Sequence, residues 1–183
     1  MTRDDALALL KSHVSNRNLI KHMLAVEAVM ASLAEKFGEN EEEWRLAGLL
    51  HDIDYDKTAT DPEAHSIVGA EILEREGLPE HVIYAVKVHN HHHGLPRKTI
   101  LDKALYAVDP LTGLIVAAAL IHPDKKLSSI DADFVLNRYK ERSFARGADR
   151  DAIASCESFG MSLEDFVGVG LSAMQQIAGE LGL

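Results

Sequence analysis

The feature that most constrains the fold of this chain is the spacing of its apolar residues, which recur every three or four positions. That spacing places apolar side chains on one face of an α-helix, whereas a half-buried strand would alternate strictly, and no segment does so convincingly. Alanine and leucine are abundant and aromatic residues make up only 5% of the chain, which also favours helices. The sequence therefore predicts an all-α fold. The longest regular segment has apolar residues at Leu19, Met23, Val26, Met30 and Leu33.

Capping and terminating residues set the expected helix boundaries. Asn16 or Asn18 is predicted to cap a long helix that ends at Gly38, and Asp61 followed by Pro62 is predicted to open another. The polar strings DIDYDKTATDP and HHHGLPRKT are predicted to be loops. Because no repeat or long linker interrupts the pattern, we expect one domain over residues 1–183. The expected helices span residues 4–11, 16–37, 41–51, 61–77, 79–90, 104–121, 131–142, 150–159 and 162–181.

The charge balance is acidic, with 29 aspartates and glutamates against 19 lysines and arginines and a formal net charge of -10. An acidic chain lacks the broad basic face that binds long nucleic acid through its phosphates, so the composition predicts no long nucleic acid as a partner. A small phosphorylated substrate is compatible with this charge, because a bound metal ion would supply positive charge locally.

The chain carries one cysteine, Cys156, and cannot form an intramolecular disulfide, which favours a reducing, cytoplasmic location. The N-terminal string MTRDDALALLKSH is too charged for a signal peptide. Residues 104–121 are apolar enough to raise the question of a membrane helix, but Asp109 and Pro110 lie in the middle and no basic cluster flanks them. We expect a buried core helix and no membrane partner.

The chain has 10 histidines, and some of them lie with aspartates in or beside apolar helices. His22 lies within the long predicted helix, His51 and Asp52 follow the apolar run LAGLL, and Asp109 interrupts the most apolar helix. An unpaired carboxylate buried there would cost several kcal/mol, so Asp109 is expected to face a cation or a hydrogen-bond donor. Imidazoles and carboxylates together bind Mn, Fe, Co, Ni or Zn, with Mg as a further candidate. Water on such an ion is acidic enough to act as a nucleophile near neutral pH.

The ordered set of motifs resembles the HD superfamily of metal-dependent phosphohydrolases. The string LAGLLHDIDYDKT is similar to its HDIG-type segment, with Asp54 where glycine often stands, and KALYAVDPLTGLI is similar to its final aspartate helix. Between them, HSIVGAEILEREGLP and YAVKVHN resemble the helices that carry additional histidines in binuclear members. The resemblance spans residues 19–121 and implies a helical HD-domain-like bundle, with residues 124–183 as a C-terminal helical extension.

The resemblance also implies roles for individual residues and a site for one or two ions. If two ions bind, Asp52 would bridge them. Lys57 matches a family lysine that contacts substrate phosphate. From the residues themselves we expect Asp52 or Asp54 to orient the attacking water, with Asp54 alternatively acting as an acid–base group or supporting a metal ligand. The implied ligands are His22, His51, Asp52 and Asp109 for the first ion, with His65 and His89 for the second.

Three further groups of residues admit both a functional and a structural interpretation. Arg142 and Arg146 follow Arg138 at four-residue steps, and they would either hold a phosphate over the metal or form a solvated helical face. The run His91–His93 is expected in a loop, where one member could replace His89 or meet a phosphate. Either the core or the seam of a homodimer would be formed by Phe166, Leu171, Met174 and Ile177.

Together these features predict the hydrolysis of a phosphate ester or anhydride in a small molecule, such as a nucleotide, by a metal-bound hydroxide. One alternative is a di-iron oxygenase, which would need both His65 and His89 as ligands. Another is a module that senses a nucleotide or a metal without catalysis. Oxygen consumption would identify the first alternative, and tight binding of a nucleotide without phosphate release would identify the second.

Overall fold

A computed structural model describes the whole chain, residues 1–183, and contains helices without a β-strand. The predicted all-α, HD-domain-like bundle with additional C-terminal helices is confirmed. Short 3-10 turns lie at His91–His93, Leu127–Ser129 and Ser155–Phe159. The α-helices are α1 (Arg3–His13), α2 (Arg17–Phe37), α3 (Glu41–Leu50), α4 (Tyr55–Thr58), α5 (Ile67–Arg75), α6 (Glu80–His89), α7 (Ile100–Ile121), α8 (Ala132–Lys140), α9 (Arg150–Ala154), α10 (Leu163–Gln176) and α11 (Ala178–Leu181).

The close contact between α2 and α3 depends on one glycine. A Cβ atom on Gly48 would lie 2.9 Å from the Cα of Glu27 and 3.0 Å from the carbonyl carbon of Val26. Both obstructing atoms belong to the main chain of α2 and cannot rotate aside, so only glycine permits this approach. Because of this contact, His22 on α2 faces His51, the residue that follows α3.

Helix α7 runs through the centre of the bundle and contacts α2, α3, α6, α8, α9 and α10. It begins at Ile100, earlier than the predicted residue 104, because Thr99 and Asp102 form a capping box there. With 22 residues and a mean hydropathy of 1.9, it could cross a membrane by length and composition alone. In the bundle, however, side chains such as Leu105 and Leu111 have no exposed surface, so α7 is a core helix as predicted.

The predicted loop and helix that follow α3 are wrong in two respects. Residues Tyr55–Thr58 form the short helix α4 inside the predicted loop. Asp61 and Pro62 do not open a helix, because residues 62–66 form turns. Helix α5 begins directly after Ser66, whose φ of 68° lies in the left-handed region.

The cap of α5 explains this difference. Asp54 Oδ2 accepts hydrogen bonds from the backbone N–H groups of Ser66 at 2.8 Å and Gly69 at 2.9 Å, so a negative charge lies at the N-terminus of the helix. Because this carboxylate comes from a different part of the chain, rules that consider only neighbouring residues could not locate the helix start.

The C-terminal helices belong to the same core. Helices α8, α9 and α10 pack on α7, and α10 also contacts α2. Phe166 and Met174 have no exposed surface, Leu171 is 4% exposed, and Ile177 packs against them partly buried. These residues therefore form core and not a free dimer seam.

The segment between α8 and α9, residues 141–149, is shaped by Arg150. Because α8 ends at Lys140, the predicted helical row through Arg142 and Arg146 is wrong, and both residues lie in the 141–149 segment. A guanidinium group has five N–H donors, so one arginine can satisfy several carbonyls that leave regular structure. Arg150 donates to the carbonyl oxygens of Phe144 at 2.6 Å, Ala148 at 2.6 Å, Ala145 at 3.0 Å and Tyr139 at 3.1 Å.

Candidate metal centre

Helices α2 and α7 and the end of α3 bring the first group of predicted ligands together. The Nε2 atoms of His22 and His51 lie 3.2 Å apart. Asp109 Oδ1 lies 3.1 Å from His22 Nε2 and 3.9 Å from His51 Nε2. Donor atoms about 2.1 Å from one ion lie about 3 to 4 Å from each other, so these separations fit a single metal ion.

The second group of predicted ligands lies on the other side of Asp52. Asp52 Oδ1 is 3.4 Å from His65 Nε2 and 3.3 Å from His89 Nε2. Its other oxygen, Oδ2, is 3.6 Å from His51 Nε2 and 4.0 Å from His22 Nε2. One carboxylate oxygen faces each group, which is the arrangement of a ligand that bridges two ions.

Backbone carbonyls fix the orientation of His51 and His89. His51 Nδ1 donates to the carbonyl oxygen of Gly48 at 2.8 Å, and His89 Nδ1 donates to that of Val86 at 2.6 Å. Since a carbonyl only accepts, Nδ1 carries the proton and Nε2 of the neutral ring keeps its lone pair. Lone pairs that face carboxylate oxygens repel them unless a cation lies between, so the donor set fits a metal ion.

Side chains fix the other two imidazoles. Thr112 Oγ1 lies 3.1 Å from His22 Nδ1 and donates its own proton to the carbonyl oxygen of Asp109 at 2.9 Å, so it accepts from the histidine. His65 Nδ1 donates to Asp54 Oδ1 at 3.0 Å. All four imidazoles therefore use Nδ1 as a donor and direct Nε2 to the centre, as metal-bound histidines do.

These supporting groups were not predicted from the sequence. Gly48 and Val86 each stand three residues before a histidine that ends a helix, and this spacing is the signal that could have indicated them. Thr112 pairs with a residue 90 positions away, and nothing in the sequence connects the two.

Asp54 serves His65 and does not reach substrate. Its side chain has no exposed surface. Both oxygens are occupied, Oδ1 by His65 and Oδ2 by the N–H groups of Ser66 and Gly69. Of the roles predicted for Asp54, these contacts favour the support of a metal ligand over orienting the attacking water.

The sequence predicts that Asp109 is buried within an apolar helix, and this prediction is wrong. Its side chain is 35% exposed, whereas that of Asp52 is 10% exposed and enclosed by imidazoles. Asp109 and Pro110 both line two neighbouring cavities, of about 220 and 320 Å³. The centre is therefore open to a substrate at Asp109.

Burial and neighbouring groups hold Asp52, Asp109 and His51 in the forms that bind metals. Burial alone would raise the pKa of Asp52, but the neighbouring His51 and His89 hold this pKa well below its ordinary value. In the same way, His22 outweighs burial and lowers the pKa of Asp109. Burial lowers the pKa of His51. At neutral pH both carboxylates are charged and His51 is neutral, as coordination requires.

The predicted phosphate-binding residues lie at the periphery. Lys57 is exposed on α4. Arg142 and Arg146 line a cavity of about 340 Å³ together with Gly147, which also lines both cavities at Asp109. The 141–149 segment therefore borders the metal centre.

The run His91–His93 does not replace His89. His93 Nε2 donates to the carbonyl oxygen of His65 at 2.8 Å, and Asn90 donates to the same oxygen at 3.2 Å. His91 lines the 220 Å³ cavity. The run thus supports the backbone of His65 and contributes one exposed side chain near the centre.

A helical bundle that directs four imidazoles and two carboxylates at one centre has the donor set of a site for divalent metal ions. The family model for the HD domain matches residues 19–119, and the chain belongs to that family. The predicted resemblance is therefore confirmed.

Similar proteins include several named Ribonuclease Y. The chain is 30% identical to Ribonuclease Y of Desulfotalea psychrophila over 143 residues. The matched region covers 74% of this chain and 26% of the relative's length. It is 33% identical to Ribonuclease Y of Nitratidesulfovibrio vulgaris (strain DP4), over 54% of this chain and 18% of the relative. Identity to Ribonuclease Y of Lawsonia intracellularis is 31%, over 57% of this chain and 20% of the relative. No solved structure matches the chain.

The relatives correct one prediction. The net charge predicts no long nucleic acid as a partner, yet the chain is similar to proteins named as ribonucleases, and this prediction is wrong. A metal centre neutralises phosphate locally, so the sum of surface charges does not decide whether a nucleic acid can reach it.

Proposed function

We propose that this chain is a metal-dependent phosphodiesterase that hydrolyses a bond between nucleotides. The observation that carries the proposal is the position of Asp52, whose two oxygens face two separate groups of imidazoles. Such a carboxylate can hold two ions side by side, the arrangement that stabilises both the attacking and the leaving oxygen of phosphoryl transfer. The relatives support a phosphodiester of RNA over the ester or anhydride of a small molecule that the sequence predicts.

The ions would be held by His22, His51 and Asp109 on one side and by His65 and His89 on the other, with Asp52 between them. When bound, they supply an acidified water and neutralise charge on the phosphoryl oxygens. The identity of the metal stays within the predicted set of Mn, Fe, Co, Ni, Zn and Mg, because mixed imidazole and carboxylate ligation suits several of these ions.

The chain's own residues would perform the remaining tasks. Asp109, whose carboxylate is partly exposed to both cavities, would orient the attacking water. Lys57, which is exposed and forms no ion pair, would neutralise the phosphate. Arg142 and Arg146 would hold the next phosphate along the substrate.

The test is cleavage of short single-stranded RNA and of a dinucleotide by protein loaded with each metal in turn. His51→Ala and Asp52→Ala should lower turnover by at least about 10³-fold, since each removes a ligand, and should lower the metal content measured by elemental analysis. His81→Ala is the matched control, because His81 is exposed and pairs only with Glu43. Full activity of either ligand variant would contradict the mechanism, and oxygen consumption without cleavage would favour the oxygenase.

A further inference from the structure

One more cavity adjoins the metal centre on the side of His22, and its lining is more apolar than that of the cavities at Asp109. It has a volume of about 420 Å³ and lies between α2, α7 and the C-terminal residues. Asn18 and Lys21 supply polar groups to it. Its apolar walls come from Ala25, Val116, Leu120 and Leu181. We call it the apolar cavity.

The apolar cavity adjoins the metal centre. His22 and Gly113 line both this cavity and the 320 Å³ cavity at Asp109. Gly113 is exposed on α7, and a Cβ atom added there would meet nothing within 4 Å. No side chain at this position therefore separates the two spaces, and a molecule whose phosphate lies at the centre can extend past Gly113.

On the opposite side, the centre is polar. The 220 Å³ cavity there is lined by His91, Tyr106 and Asp149, among others. The two sides of the centre thus offer a substrate different environments. An apolar group on one side of the scissile phosphate would be directed to the apolar cavity, because its burial there removes apolar surface from water.

We propose that the apolar cavity binds the nucleoside on one side of the phosphodiester, an inference that rests on the proposed function. A nucleobase has apolar faces and an edge of hydrogen-bond donors and acceptors. The aliphatic walls match the faces, while the amide of Asn18 both donates and accepts and the ammonium group of Lys21 donates. Leu120 is 49% exposed in this position and would be covered by the base.

The experiment compares two esters with the same leaving group, a ribonucleoside 5′-(p-nitrophenyl phosphate) and methyl p-nitrophenyl phosphate. Leu120→Asn removes part of the apolar wall and should lower kcat/KM for the nucleoside ester roughly tenfold while changing that for the methyl ester less than about twofold. Ile121→Asn is the matched control, since Ile121 is 48% exposed, neighbours Leu120 and does not line the cavity.

A second variant tests the passage itself. Gly113→Leu fills open space on a helix, so it should fold, and it should keep the metal content of the wild-type protein while excluding the nucleoside ester. The proposal is overturned if Leu120→Asn and Ile121→Asn behave alike, or if Gly113→Leu leaves the preference between the two esters unchanged.

Failure of the proposed function gives a different result. If the metal-loaded wild-type protein hydrolyses neither ester, the phosphodiesterase proposal fails. Calorimetric measurement of ribonucleoside 5′-monophosphate binding then tests whether the apolar cavity is a nucleoside site. Binding that Leu120→Asn weakens about tenfold and Ile121→Asn leaves unchanged supports the cavity as a nucleoside site. Equal binding by both variants, or no binding, overturns it.

Discussion

The two halves of the metal centre are built in different ways. His22 belongs to α2, His51 follows the end of α3, and Asp109 belongs to α7. Gly48 permits the close approach of α2 and α3. His65, by contrast, lies in a turn before α5. Its ring is held by Asp54, and its carbonyl oxygen by Asn90 and His93.

The difference separates two kinds of support. Helix packing involves many residues, so the first half should tolerate the loss of any single supporting side chain. The second half depends on a few hydrogen bonds and should lose its ion when one of them is removed. Asp52 belongs to both halves and should not be separable from either.

The largest effect that distinguishes the halves is expected for Asp54→Asn. The amide cannot serve both His65 and the N-terminus of α5 as the carboxylate does, so His65 should turn away from Asp52. We expect affinity for the second ion to fall about 10- to 100-fold while the first ion stays bound. Elemental analysis and calorimetric metal titration measure this directly.

The control for this variant is Asp56→Asn. Asp56 lies in the same short segment but bonds only to Ser15, far from the metals, so the metal content should not change. Simultaneous loss of both ions from Asp54→Asn would show that the two halves are not independent.

A smaller effect is expected for Thr112→Val in the first half. This change keeps the shape of the side chain and removes the oxygen that accepts from His22 Nδ1. Because His22 is also held by α2, affinity for the first ion should fall no more than about tenfold, and the second ion should be unaffected. Thr60→Val, at an exposed position, is the control. If Thr112→Val lowered affinity for the first ion more than Asp54→Asn lowers affinity for the second, the first half would be the one that depends on single hydrogen bonds.

The smallest effect concerns protons that compete with the ions. Burial alone would lower the pKa of His22 and of His89. The neighbouring carboxylates outweigh burial, so Asp109 raises the pKa of His22 and Asp52 raises that of His89 above the ordinary value of 6.5. Below these raised pKa values a proton occupies the nitrogen that should bind metal, so acid weakens metal binding and base restores it. We expect affinity in each half to fall about threefold for each half-unit drop in pH through this range. Titrations at a series of pH values measure it, and an affinity that does not depend on pH would contradict the assignment of these ligands.

The residues that carry chemistry could be predicted from the sequence better than those that hold them. His22, His51, Asp52 and Asp109 follow a recognisable order on periodic helices, and the structure brings them together. The start of α5 could not be found, because Asp54 caps that helix from outside its own sequence.

The exposure of Asp109 could not be predicted either. Its surroundings in sequence are among the most apolar of the chain, yet exposure depends on which neighbouring elements leave space. The cavities beside Asp109 lie against residues of the 141–149 segment, whose position no local pattern reveals.

The way in which Arg150 holds the 141–149 segment has a consequence for how such a protein can diversify. The guanidinium binds main-chain oxygens, which every amino acid possesses, so these hydrogen bonds do not depend on which side chains the segment carries. Arg142 and Arg146 can be exchanged in evolution without rebuilding the bundle. This single arginine would thus allow the wall of the cavity at Arg142 and Arg146 to vary with the substrate while the metal ligands stay fixed.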